Sequence, residues 1–266
     1  MVDFVTFEGL PRGLALIQGT LPSRREWKRI VRDDLGVNVL QMPGAAVDLG
    51  GLRPFASRIR HLTVNSASCR DLSDVALMSE LRSLAVGGLV DVGADLRLLR
   101  NLESFGGPIE SFDGVLDHPT IVSLAFEWSS ATPPHISAGL ESLSVGYSNK
   151  TVGLPTFDDS TRLRTMAIDG ASTLSLAGIE SCSALTRLDL TGCRAIEDAE
   201  RLLMLPSLQR LWFENCLAIE PQTALLDLVD VEVGVIGRNP FAVAFRSAAA
   251  ESNSKWSFPS LPRPKV

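Results

Sequence analysis

A phrase with apolar residues at its first, fourth and sixth positions recurs along this chain. It is clearest as Leu185, Leu188 and Leu190, and again as Leu208, Leu211 and Phe213. The frame also fits Leu163, Met166, Ile168, then Leu140, Leu143, Val145, then Ile121, Leu124, Phe126, then Leu102, Phe105 and a defective Gly107. Before these come Leu81, Leu84, Val86, then Ile59, Leu62, Val64, and a weaker Val37, Leu40, Met42. At the far end the frame reads Val231, Gly234 and Ile236, and successive starts fall 19 to 23 residues apart. Alternation at positions four and six places two apolar side chains on one face of a short strand. A lone strand cannot bury that face, so successive coils must stack and their strands must form a parallel sheet.

A period near 22 with the form L-x-x-L-x-L resembles the leucine-rich-repeat family across residues 37–245. The resemblance implies an α/β solenoid, a curved right-handed superhelix with a parallel concave sheet and short helical, 3₁₀ or irregular convex segments. Apolar residues spaced by three, such as Leu174, Leu176 and Ile179, or Ile196, Ala199, Leu202 and Leu205, fit those convex turns. Family members place Asn or Cys at the ninth position, where the side chain satisfies turn backbone. Here that slot holds Cys193, Cys216 and Asn239, but Ala67, Leu89 and Ala171 in other coils. Gly106, Gly107, Pro108, Pro119, Pro133 and Pro134 fall in the shortest intervals and predict irregular coils over 102–140.

Residues 1–36 read as an N-terminal cap. Ser23 followed by Glu26 is a capping box, and Gly36 stands where a helix end favours it, which predicts a helix over 24–35 with Trp27, Ile30 and Val31 as its apolar stripe. Phe241, Val243 and Phe245 alternate as a last strand. Residues 246–266 read as a Ser- and Pro-rich cap or tail, either an extended strap with Trp256 and Phe258 tucked down or a frayed end. No linker interrupts the run, so it reads as one domain.

Composition narrows function. The net charge of -6 opposes nucleic-acid binding, which rests on clustered Lys and Arg. Four Cys in 266 residues are too few for a disulfide scaffold, and no leader or membrane span is expected, so the chain is placed in the cytoplasm. Cys193 and Cys216 share one repeat position and read as packing residues rather than a disulfide or half a zinc site. Cys69 and Cys182 read as small core residues. No nucleophile, zinc, phosphate-loop or dinucleotide motif is present, so neither a cofactor nor catalysis is expected. The basic run Arg24, Arg25, Lys28, Arg29 and Arg32 reads as the solvated face of the capping helix, diluted by Glu26, Asp33 and Asp34.

The outward face of the sheet is where a solenoid acts. Its floor is small, with Thr63, Ala85, Gly106, Ala125, Ser144 and Ala167 at position five, while the C-terminal end is studded with large side chains. Arg187, Asp189, Arg210, Trp212 and Glu214 form the expected partner-binding patch, with Trp128 and Tyr147 as a second anchor, because exposed Trp, Tyr and Arg dominate interface energetics. The competing possibility for Trp212 is that it only stacks on Arg187 or Arg210. The expected partner is another protein, a toxin or effector, bound by a chain that is monomeric when free. Resemblance to inhibitors of the ribonuclease-inhibitor type and to bacterial immunity proteins implies stoichiometric inhibition. An adaptor role is the alternative, and an enzyme with a site near His118, Glu127 and His135 is a third.

Overall fold

The computed structural model describes residues 2–5, 14–18, 22–40, 49–65, 70–130, 132–137, 139–148, 151–228, 230–241 and 256–257. Met42, Ala67, Cys69, Val243, Phe245 and Phe258, all named above, lie outside the described residues. The chain divides into two compact units, residues 1–124 and 125–266.

In the first unit β1 (Val2–Val5) and β2 (Leu14–Ile17) form an antiparallel hairpin, and α1 (Arg24–Arg32) crosses over to β3 (Gly36–Leu40), which lies parallel to β2. Parallel strands β4 (His61–Asn65), β5 (Ser83–Gly87) and β6 (Ser104–Gly106) follow in sheet order. The 3₁₀ segments Leu49–Arg58, Ser73–Leu77 and Leu96–Leu98 return the chain between them. Helix α1 opens with the expected capping box: the Glu26 N–H donates to Ser23 Oγ at 3.4 Å and the Ser23 N–H to Glu26 Oε2 at 2.7 Å. It ends three residues earlier than expected. Asp34 takes the left-handed turn at φ 48°, and Gly36 begins β3 instead of closing the helix. Trp27 and Ile30 are buried, but Val31 is 40% exposed and leaves the stripe.

In the second unit the sheet order is β7 (Ser123–Trp128), β9 (Ser142–Tyr147), β12 (Thr165–Asp169), β14 (Arg187–Thr191), β16 (Arg210–Glu214), β18 (Glu232–Ile236) and β19 (Trp256–Ser257). The first two residues of β7 belong to the first unit. From β9 to β18 every ladder is parallel and strictly in register, so equal coil positions stand side by side. Positions one, four and six point inward: Leu185, Leu188, Leu190, Leu211 and Phe213 are wholly buried. This is a leucine-rich-repeat fold, with 3₁₀ segments at Ile179–Ser181, Ala199–Met204 and Gln222–Asp227 on the side away from the main sheet.

A second parallel sheet precedes those 3₁₀ segments, and the apolar spacing alone did not predict it. Its order is β10 (Thr151–Gly153), β13 (Thr173–Ser175), β15 (Ala195–Glu197) and β17 (Ala218–Ile219); a separate pair joins β8 (His135–Ile136) to β11 (Thr156–Phe157). Each strand of the four contributes one inward residue, Val152, Leu174, Ile196 or Ile219, and the ladder satisfies the backbone groups around it.

What turns the chain between the two sheets is the eighth position. Gly170, Gly192, Asn215 and Gly237 occupy it with φ of 76°, 63°, 55° and 77°, a left-handed conformation that glycine and asparagine tolerate best. The Gly192 N–H still donates to Glu214 O at 2.7 Å, so the ladder runs on into the turn. Trp128 and Tyr147 fill this slot in two coils of the irregular stretch; there the chain does not turn, and β7 and β9 extend to six residues.

The register corrects the frame at both ends. Val233 and Val235 pair with Leu211 and Phe213, so Gly234 is an outward residue beside Trp212 and Val235 is buried. Likewise Val37 and Val39, not Leu40 and Met42, pair with Leu62 and Val64. In both places several apolar residues crowd together and the strand's own alternation decides which turn inward.

Candidate functional site

The expected patch lies on two adjacent strands, and the register fixes its layout. In the central outward row Asp189 of β14, Trp212 of β16 and Gly234 of β18 stand side by side; in the row before it stand Arg187, Arg210 and Glu232. Thr191 and Glu214 stand opposite each other in the row after it.

Two arginines in adjacent places repel unless each finds an acid, and each does. Arg187 reaches along its own strand, with Nε 2.9 Å and Nη2 2.7 Å from Asp189 Oδ2. Hydrogen bonding to that carboxylate raises the Arg187 pKa and secures its charge. Arg210 reaches across the ladder, its Nη2 3.1 Å from Glu232 Oε2. Both arginine side chains remain about half exposed, 47% and 48%.

Among the described residues no guanidinium stacks over the Trp212 ring, which lies instead over Gly234. A Cβ on Gly234 would collide with Cε3 and Cζ3 of the Trp212 ring, so only glycine leaves room for the indole there. The ring is half-buried, seated on backbone on one side and flanked by two neutralised ion pairs. Sequence reasoning missed Glu232 and Gly234 as part of this group, because the last coil was framed one residue late. The left-handed series ending in Gly237 carries the signal that would have placed them.

The second anchor is not a pair of open aromatics. Tyr147 is 2% exposed, and burial raises its phenol pKa far above the ordinary value; it is a core residue. This corrects its expected outward orientation: without the left-handed turn β9 runs on through Tyr147, and the side chain packs inward. Trp128 is half-buried, lies edge-on to Phe126 at 6.1 Å and donates its indole N–H to Thr132 O at 2.8 Å.

The residues weighed for chemistry are accounted for by structure. His118, in the first unit, is 1% exposed, with Nε2 2.9 Å from Leu96 O and Nδ1 accepting from the Thr120 N–H at 3.4 Å, a core histidine with both nitrogens used. His135 stands on the surface of the second unit between Thr156 Oγ1 and Asp158 Oδ1, each at 3.0 Å, while Glu127 is exposed on β7. Cys193 and Cys216 are buried free thiols that donate to Thr191 O at 3.5 Å and Leu190 O at 3.3 Å, and the Cys216 N–H donates to Asn239 Oδ1 at 2.8 Å. Hydrogen bonding beside Cys216, together with burial, holds the Cys193 thiol well above its usual range and keeps it unreactive. Among the described residues no group of three or more His, Cys, Asp or Glu is placed to hold a metal ion, and no helix is long and apolar enough to cross a membrane.

No protein-family model matches the chain, and no curated protein matches it. Among solved structures it is similar to the crystal structure of an internalin (inlF) from Listeria monocytogenes str. 4b F2365. The identity is 14%, the alignment covers 87% of this chain and 73% of that one, and the TM-score is 0.49.

Proposed function

We propose that this chain is a non-catalytic protein-binding scaffold that engages a protein partner through the outward face of β14, β16 and β18. The observation that carries this reading is the Trp212 ring, only partly buried, seated over Gly234 and bordered by two closed ion pairs. An immobilised aromatic loses little freedom on binding, and neighbouring charges that are already paired need no rearrangement. Ser142, Ser144, Thr165 and Ala167 on β9 and β12 are short, so a partner can lie close beside the ring.

Within that reading the chain acts in the cytoplasm as a stoichiometric inhibitor of the immunity or antitoxin type, covering a toxin or effector. Purification from the native host separates the alternatives: one abundant partner in equal amount supports inhibition, and a changing set supports an adaptor. The purified partner is then titrated calorimetrically against the parent chain, Trp212→Ala and Arg210→Ala. Each substitution is expected to weaken binding by about 2 kcal/mol. Unchanged affinity in both, with loss of binding on substituting Leu203 or Met204 on the opposite side, would place the interface elsewhere.

A further inference from the structure

In the first unit, β1 and α1 enclose a groove of about 630 Å³ lined by Phe4, Arg25, Glu26, Lys28, Arg29 and Arg32, with Asp33 at its end. We infer that this groove is a second binding site, built to receive an acidic peptide segment of a partner protein. In a chain of net charge -6, α1 alone carries five cations within nine residues. The two acids in the lining leave most of that charge uncancelled. Glu26 is turned back onto the Ser23 N–H as the helix cap, and Asp33 is engaged by Arg32 at 2.6 Å. Among the described residues Arg24, Arg25 and Lys28 have no acidic partner, and all three are exposed.

The same geometry selects among anionic occupants. A membrane surface asks a basic helix to insert an apolar face, but the apolar residues Trp27 and Ile30 are 2% and 4% exposed and spent on the core. A nucleic-acid strand carries phosphate along its whole length and needs a long track of cations, whereas here they are confined to one nine-residue helix of a chain with net charge -6. A short acidic peptide segment needs no more than that. Arg29, held over the Phe4 ring at 4.1 Å, fixes one wall, so the groove is formed before any ligand arrives.

The test uses a fluorescein-labelled peptide of about ten residues, alternating Glu and Leu, read by anisotropy with the full chain. Saturable binding is expected that weakens about tenfold or more between about 50 and 300 mM NaCl. Arg25→Glu with Lys28→Glu should abolish it, Arg25→Lys should retain it, and Trp212→Ala should leave it unchanged. Melting curves of the variants report folding. Absence of peptide binding overturns the inference. So does peptide binding that survives the charge reversal, and so does binding of the parent only to vesicles of about 30% phosphatidylserine or to single-stranded DNA.

Discussion

At the scale of single residues, inward and outward positions should respond differently to truncation. Leu188 and Leu211 are wholly buried, and replacing either by Ala should cost about 2 to 5 kcal/mol, measured from urea denaturation midpoints. A cost under about 0.5 kcal/mol would mean the two faces are reversed. Gly234→Ala tests the seat of the indole: the new Cβ must displace the Trp212 ring, so tryptophan emission should shift while Trp212→Phe removes the effect. Tyr147, the chain's one tyrosine, reports burial through its pKa. Its folded value is raised above the ordinary 10.0, so the folded state keeps its proton where the unfolded state loses it. The stabilisation it contributes is complete below that ordinary value and is lost as pH rises above it. Phenolate absorbance should therefore appear together with alkaline unfolding, not before it.

At the scale of the element, the left-handed eighth position is as much a part of the repeat as its leucines. Gly192→Val should cost about 1 to 3 kcal/mol through backbone strain, whereas Gly192→Asn should cost less, as Asn215 occupies the equivalent place one coil on. Denaturant midpoints of the two variants decide it, and equal costs would point to crowding instead of strain. The same element shows what a sequence can and cannot disclose. From Ile59 to Phe213 the inward set is legible, since leucine-like residues are separated by residues that cannot be buried cheaply. Around Val231 to Ile236 four apolar residues compete for two inward places, and only the ladder with Leu211 and Phe213 chooses Val233 and Val235. The short strands β13, β15 and β17 give no period to read, having one inward residue each. The outward spacing puts Arg187, Asp189, Arg210, Trp212 and Glu214 on two adjacent strands, and the register has them there. Tyr147 was misplaced because spacing carries no information about a turn that is missing.

At the scale of the whole molecule, ion pairs repeat at the spacing of the coils. Arg53 meets Asp74, Arg82 meets Glu103, Arg162 meets Glu141 and Arg201 meets Glu180, each pair 21 residues apart and solvent-accessible on at least one side. Screened by salt, such pairs contribute little individually. Raising NaCl to about 1 M should therefore move the denaturation midpoint less than Leu188→Ala does, and a larger shift would assign the stacking energy to charge instead of core. The strict register of β9 through β18 has a further consequence for how such a protein can diversify. Three outward residues per strand, repeated from strand to strand, amount to a grid of independent sites whose neighbours are known in advance. Exchanging Thr165, Ala167 and Asp169 on β12 would rewrite the row of sites beside Arg187 and Asp189 and leave every leucine below untouched. A new specificity can thus arise one coil at a time, by editing the surface of a core that does not have to be solved again.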